Sequence, residues 1–181
     1  MGIRLLAVLL LAAGTTACGS DSSPEVSTDV KAPSVITVRS SDFRDGEPIP
    51  KLFTCDGDST SPQVAWRGVP KGAKALALVV DDPDAPDGTF VHWVLLDMTP
   101  ATTKVDEGSV PSGAVQAQNG AGEASYTAPC PPSGTHHYRF NVYALEAKTG
   151  LGDGTSTDTA LRAVRKVAMA RGRLIGTYSR G

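Results

Sequence analysis

The chain has 181 residues, 40% of them apolar and 20% charged, with a net charge of −2. That is enough for one compact globular domain and too little for two ordinary ones. No run of like charges exists, which excludes the basic footprint of a nucleic-acid partner and a polybasic lipid-binding stretch.

Residues 1–17 read as a secretory signal peptide, with one charge at Arg4, an apolar run from Leu5 to Ala13 and small residues from Gly14 to Ala17. A bilayer span needs about 20 apolar residues, so this run does not cross one. Cys18 directly follows Ala17, which resembles a bacterial lipobox, although Thr15 stands where such boxes usually carry Leu. The resemblance implies cleavage before Cys18, a thioether diacylglycerol on its sulfur and an acyl group on its new amine. The alternative is an ordinary signal peptide with Cys18 left as a free thiol. Residues 18–33 are polar and Ser/Pro-rich and read as a flexible tether from the lipidated cysteine. The protein is therefore expected to be exported and lipid-anchored at the extracytoplasmic face of the cell membrane, where disulfides persist.

Residues 34–181 are expected to form the folded domain. Val35 to Val38 is a β-branched run that predicts the first strand. Ala75 to Val80 is continuously apolar and suits a buried strand, as does Phe90 to Leu96. Tyr138 to Leu145 alternates, with Tyr138, Phe140, Val142 and Ala144 on one face. A helix is predicted over Asp158 to Arg171, capped by Thr157 and stopped by Gly172. Arg173 to Tyr178 then predicts a last strand. With Gly 19 and Pro 13 supplying turns, this pattern is mainly β, a sandwich or barrel with one peripheral helix.

Three histidines carry most of the chemical signal. Strict alternation puts His92 with Phe90, Val94 and Leu96, and His136 with Tyr138, Phe140 and Val142. The same parity turns His137 outward with Arg139 and Asn141. Imidazoles aimed into apolar surroundings need hydrogen-bond partners. One of them alone reads as a satisfied core histidine, but two beside Gly/Pro-rich loops point to a shared site. The run Asp81-Asp82-Pro83-Asp84 either makes a solvated turn or supplies a carboxylate that orients a histidine. His92, His136 and Asp82 would also suit a metal, but their spacing matches no local metal motif, so no metal is assigned. No G-x-S-x-G, H-E-x-x-H, P-loop or G-x-G-x-x-G motif is present, so no catalytic residues or cofactor are assigned and the chain is not expected to be an enzyme.

Asp82 to Pro86 (DPDAP), followed by His92-Trp93, resembles the first signature of the phosphatidylethanolamine-binding family, and Gly134 to Tyr138 (GTHHY) resembles its second, usually G-x-H-R-Y. The Thr54 to Gly57 (TCDG) and Pro129 to Pro132 (PCPP) segments are similar to the bacterial and archaeal Raf kinase inhibitor-like branch. The resemblance implies a β-sandwich of antiparallel Greek-key sheets and a small anion-accepting pocket. Asp82, Ala85, Pro86, His92, Pro131, His136 and Tyr138 would line it, with imidazole N–H and phenol O–H groups donating to a phosphate-bearing or other anionic small ligand. The resemblance places Cys55 and Cys130 beside that pocket, where a disulfide between them is expected, with two buried free thiols as the alternative. His137 stands where the family usually has Arg. Animal members carry a C-terminal helix over the pocket and this sequence stops soon after its last strand, so an open pocket is expected. Members of that family resemble inhibitors of kinases or of serine proteases, so the resemblance makes an extracytoplasmic protease an alternative partner, and a hydrolase using His92, His136 and Asp82 is the third reading.

Overall fold

The computed structural model describes Met1, Gly2, Thr28 and residues 30–180. Cys18 and the expected signal peptide beyond Gly2 lie outside these residues. Among the described residues, eight strands and one α-helix follow one another: β1 (Thr37–Arg39), β2 (Val64–Arg67), β3 (Ala75–Asp82), β4 (Phe90–Met98), β5 (Lys104–Val105), β6 (Val115–Gln116), β7 (Gly134–Leu145), α1 (Thr157–Val167) and β8 (Ala168–Arg180).

The strands form two antiparallel sheets, a small one in the order β1-β2-β5 and a large one in the order β6-β4-β3-β7-β8. A sandwich, not a barrel, is the outcome. Val38, Val64, Trp66 and Val105 of the small sheet pack on Leu76, Leu78, Phe140 and Val142 of the large one. The opposite face of the large sheet carries Ala77, Val79, Val94 and Tyr143, covered by Ala160, Leu161 and Val164 of α1. Both faces of β3 are therefore dry, which is why Ala75 to Val80 is apolar without alternation.

Four sequence expectations are corrected. The helix ends at Val167 instead of Arg171, because the chain from Ala168 pairs with Leu145 and continues as β8. Burial from Ala170 to Gly176 falls on every second residue, the period of a strand. The helix is capped by Ser156, whose hydroxyl accepts from Thr159 N–H at 3.4 Å. Thr157 instead donates to the carbonyls of Gln118 and Asn119, at 2.7 and 2.8 Å, and ties the helix start to the loop before β7. The first strand is β1, shifted two residues past Val35, since Val35 and Ile36 N–H groups donate to Arg171 at the edge of β8. Packing against the domain begins before residue 34: Thr28 and Val30 are already buried, and Thr28 accepts from Arg139 at 2.9 Å. Arg139 in turn binds the fully buried carboxylate of Asp81 at 2.6 and 3.1 Å, which neutralises a charge that could not otherwise sit there.

Candidate functional site

The site is built around an irregularity in β4. Val80 pairs with Trp93 and Asp81 with Val91, so His92 is the extra residue of a β-bulge. Val91, Val94 and Leu96 face the helix side, whereas Trp93 faces the small sheet. The His92 ring stands 5.2 Å from that of Tyr138, a member of the inter-sheet core. Strict alternation thus misassigned His92, which shares a side with Trp93 instead of Val94 and Leu96. The bulge also aims two successive carbonyls at the loop beyond, where Gly120 N–H donates to Val91 and Thr127 N–H to His92, at 2.7 and 2.9 Å.

Asn119 organises that loop. Its buried side chain donates to Ser125 O and Thr127 Oγ1 and accepts from the N–H groups of Ala121 and Glu123. Sequence reading missed it, because an Asn in a Gly/Ser-rich loop reads as an ordinary turn residue. Farther on, Cys55 and Cys130 form a disulfide with Cα atoms 5.4 Å apart, and Cys55 N–H donates to Pro129 O at 3.1 Å. The bond fastens the Pro129 to Pro132 segment to the Cys55 turn beside the site.

All seven expected pocket residues line one cavity of about 590 Å³. Asp82, Ala85 and Pro86 enter from the end of β3 and its loop, His92 from the bulge, Pro131 from the disulfide-held segment, and His136 and Tyr138 from one face of β7. Phe90, Gly120, Leu161 and the start of α1 complete the wall. No group of three or more His, Cys, Asp or Glu side chains among the described residues is placed to hold a metal ion.

Asp82 and His136 are buried together, with carboxylate Oδ2 2.7 Å from Nδ1. A carboxylate only accepts, so Nδ1 carries a proton and Nε2 is the nitrogen left for a ligand. The other Asp82 oxygen accepts from Asp84 N–H at 2.8 Å, which fixes the carboxylate from both sides. His92 donates from Nδ1 to Thr127 O at 2.7 Å. Burial holds its imidazole below the ordinary 6.5, despite the opposing effects of the Thr127 bond and the Asp82 and Asp81 charges. Neutral His92 therefore offers a lone pair at Nε2, and it becomes a donor to an anion only after taking up a proton. This differs from the expectation of two ready imidazole donors.

Tyr138 is fully buried, and its hydroxyl has no hydrogen-bond partner among the described residues. Burial first, then the nearby Asp82 and Asp84 charges, push its ionisation upward, so it remains an O–H donor. A buried orphan hydroxyl costs about 1–3 kcal/mol, which a folded chain tolerates where the group serves something else. His137 is half-exposed, as its parity predicts, but it is not idle. Its Nδ1 and backbone N–H both donate to Asp84, at 2.7 and 2.8 Å, and clamp the loop after β3. Burial would raise the Asp84 pKa, but these bonds outweigh it and hold the carboxyl below its ordinary value.

Known proteins share this arrangement of chain. Residues 39–179 match the family described as phosphatidylethanolamine-binding protein. A UPF0098 protein of Methanothermobacter thermautotrophicus is 43% identical over 144 residues, covering 77% of this chain and 95% of that protein. A Mycobacterium tuberculosis protein carrying the lipoprotein name LppC is 39% identical over 156 residues, 85% of this chain and 77% of its own. Among solved structures, the phosphatidylethanolamine-binding protein homologue CT736 of Chlamydia trachomatis superposes with a TM-score of 0.76 at 36% identity, covering 81% of this chain and 99% of that one. YbcL of E. coli, described as a new member of the mammalian PEBP family, gives 0.77 at 30% identity, with 82% and 100% covered. The motifs, the two-sheet fold and these matches converge, and the chain belongs to the phosphatidylethanolamine-binding protein family.

Proposed function

We propose that the protein is a binding module for phosphate-bearing headgroups, held at the extracytoplasmic membrane surface by a lipid on Cys18. The observation that carries the ligand reading is the Tyr138 hydroxyl, buried without a partner beside the Asp82–His136 pair in the same cavity. A phosphate oxygen there would accept from Tyr138, and from His136 Nε2 when that ring is doubly protonated. Protonated His92 would add a third donor. Asp87 and Asp158 also line the cavity and suit an ammonium group carried by the same headgroup. The anchor reading rests on Cys18 at the lipobox position and on the similarity to a protein named as a lipoprotein.

Native mass spectrometry of the purified protein after exposure to lipid and metabolite extracts tests the ligand reading. It should retain a phosphate-bearing compound that the His136→Ala variant loses. Retention of no such compound, or equal retention by the variant, would overturn it.

A further inference from the structure

One wall of the cavity is fastened by a covalent bond that solvent reaches. Cys130, Pro131 and Pro132 line the cavity from a single segment. The Cys55–Cys130 disulfide and the Cys55 N–H, donated to Pro129 O at 3.1 Å, tie that segment to the Cys55 turn. Cys130 is exposed and Cys55 is half-buried, so an incoming thiolate has its readier access to Cys130 Sγ. Buried structural disulfides resist small thiols, whereas exposed ones are the reducible class.

The sulfur also has a cation beside it. Arg180 Nη1 lies 3.4 Å from Cys130 Sγ, while its Nε is 3.1 Å from Asp56 Oδ2. The Tyr178 hydroxyl donates to the same Asp56 oxygen at 2.7 Å, which holds the carboxylate in place. A guanidinium against a sulfur favours its thiolate, the form that reduction produces. Asp56 opposes this, because it draws on the same guanidinium and adds a negative charge.

We propose that the Cys55–Cys130 bond is a thiol-exchange site, opened by a low-molecular-weight thiol, and that its opening unfastens the Pro129 to Pro132 wall of the cavity. In the first step an external thiolate attacks Cys130 Sγ. The bond between the two cysteines breaks, and its electron pair leaves on Cys55 Sγ, which takes a proton from water. A second external thiolate then attacks the external sulfur of the mixed disulfide. This releases the two external thiols as their own disulfide, leaves Cys130 as a thiolate beside Arg180, and passes two electrons to the protein. The inference goes beyond the phosphate-headgroup reading and does not depend on it.

Exposure of the full chain to 2-mercaptoethanol, with acid quenching and peptide mass mapping that keeps Cys18 apart, tests the exchange. The adduct should form mainly on Cys130. Arg180→Gln should lower the equilibrium constant for reduction about two- to fivefold, the effect of losing an exposed ion pair, and Asp56→Asn should raise it. Amide hydrogen exchange reads the wall: on reduction the Cys55 N–H should lose protection, whereas the Thr127 N–H, bonded to His92 O at 2.9 Å, keeps its own. The proposal is overturned by an adduct mainly on Cys55, by reduction only in denaturant, or by Cys55 N–H protection that reduction leaves unchanged. It is equally overturned if the Arg180 and Asp56 variants move the equilibrium in the same direction.

Discussion

Tyr138 and His92 are the side chains on which folding and binding pull in opposite directions. The unpartnered Tyr138 hydroxyl weakens the free protein, so Tyr138→Phe should raise its stability by roughly 1 kcal/mol or more. Denaturant unfolding of the two proteins checks this, and a loss of stability in the variant would mean that the hydroxyl has a structural partner. For His92, the sign of the pH effect follows from burial. Its folded pKa lies below the ordinary 6.5, so the unfolded chain binds more protons once pH drops under that value. The stability term from His92 is intact above about pH 6.5 and is lost as pH falls toward the folded value. Thermal melts should therefore show wild type losing stability through this window faster than His92→Gln. The Asp84 term belongs to a separate window, being present above the ordinary 3.8 and lost below it. His136, His137 and Tyr138 were legible in the sequence because β7 alternates from Tyr138 inward and keeps its register with β3 across Ala75 to Asp81. The role of His137 in holding Asp84 was not, since parity says which way a side chain points and nothing about what waits there.

The misread elements share a cause, which is that a residue's partner decides its conformation where local pattern is ambiguous. Phe90 to Leu96 is apolar on both faces, so nothing in its composition marks the bulge at His92. The register with β3 and the two loop N–H groups that pair beyond it create the bulge. Ala168 to Arg171 likewise suits a helix by spacing, but β7 offers an unpaired edge that captures this stretch into β8. Short β5 and β6 carry two residues each and leave no periodic signal at all. The predicted stop at Gly172 marks a real demand of a different kind. A Cβ at 172 would sit 2.1 Å from the Ile36 carbonyl oxygen, where the chain entering β1 crosses β8. Gly172→Ala should therefore cost about 1–3 kcal/mol through forced backbone movement. Urea unfolding reads this directly, and a neutral result would show that the crossing is looser than the packing implies.

Across the molecule, the large sheet holds everything at one end. Asp82, the bulge, the start of β7 and the disulfide-held segment come from distant parts of the chain, and only the sheet order brings them to one cavity. Family motifs made that gathering legible, whereas periodicity alone supplied strands without their neighbours. The N-terminal segment illustrates the converse: its polar composition suggested a tether throughout, yet Thr28 and Val30 are buried on the domain. The proposed anchor on Cys18 predicts that labelled fatty acid enters the wild-type protein and that Cys18→Ala is released to the medium. Equal lipid labelling of the variant would contradict it. Binding at the cavity is tested most directly by titrating inorganic phosphate into wild type, His136→Ala, Tyr138→Phe and His137→Ala, with folding of each checked by thermal melt. Loss of one charge-assisted hydrogen bond should weaken binding roughly ten- to a hundredfold in the His136 and Tyr138 variants. His137→Ala, which touches only the Asp84 clamp, should lose distinctly less. Equal affinity in wild type, His136→Ala and Tyr138→Phe would contradict the account, because the buried polar atoms that define the cavity would then have no part in binding an anion.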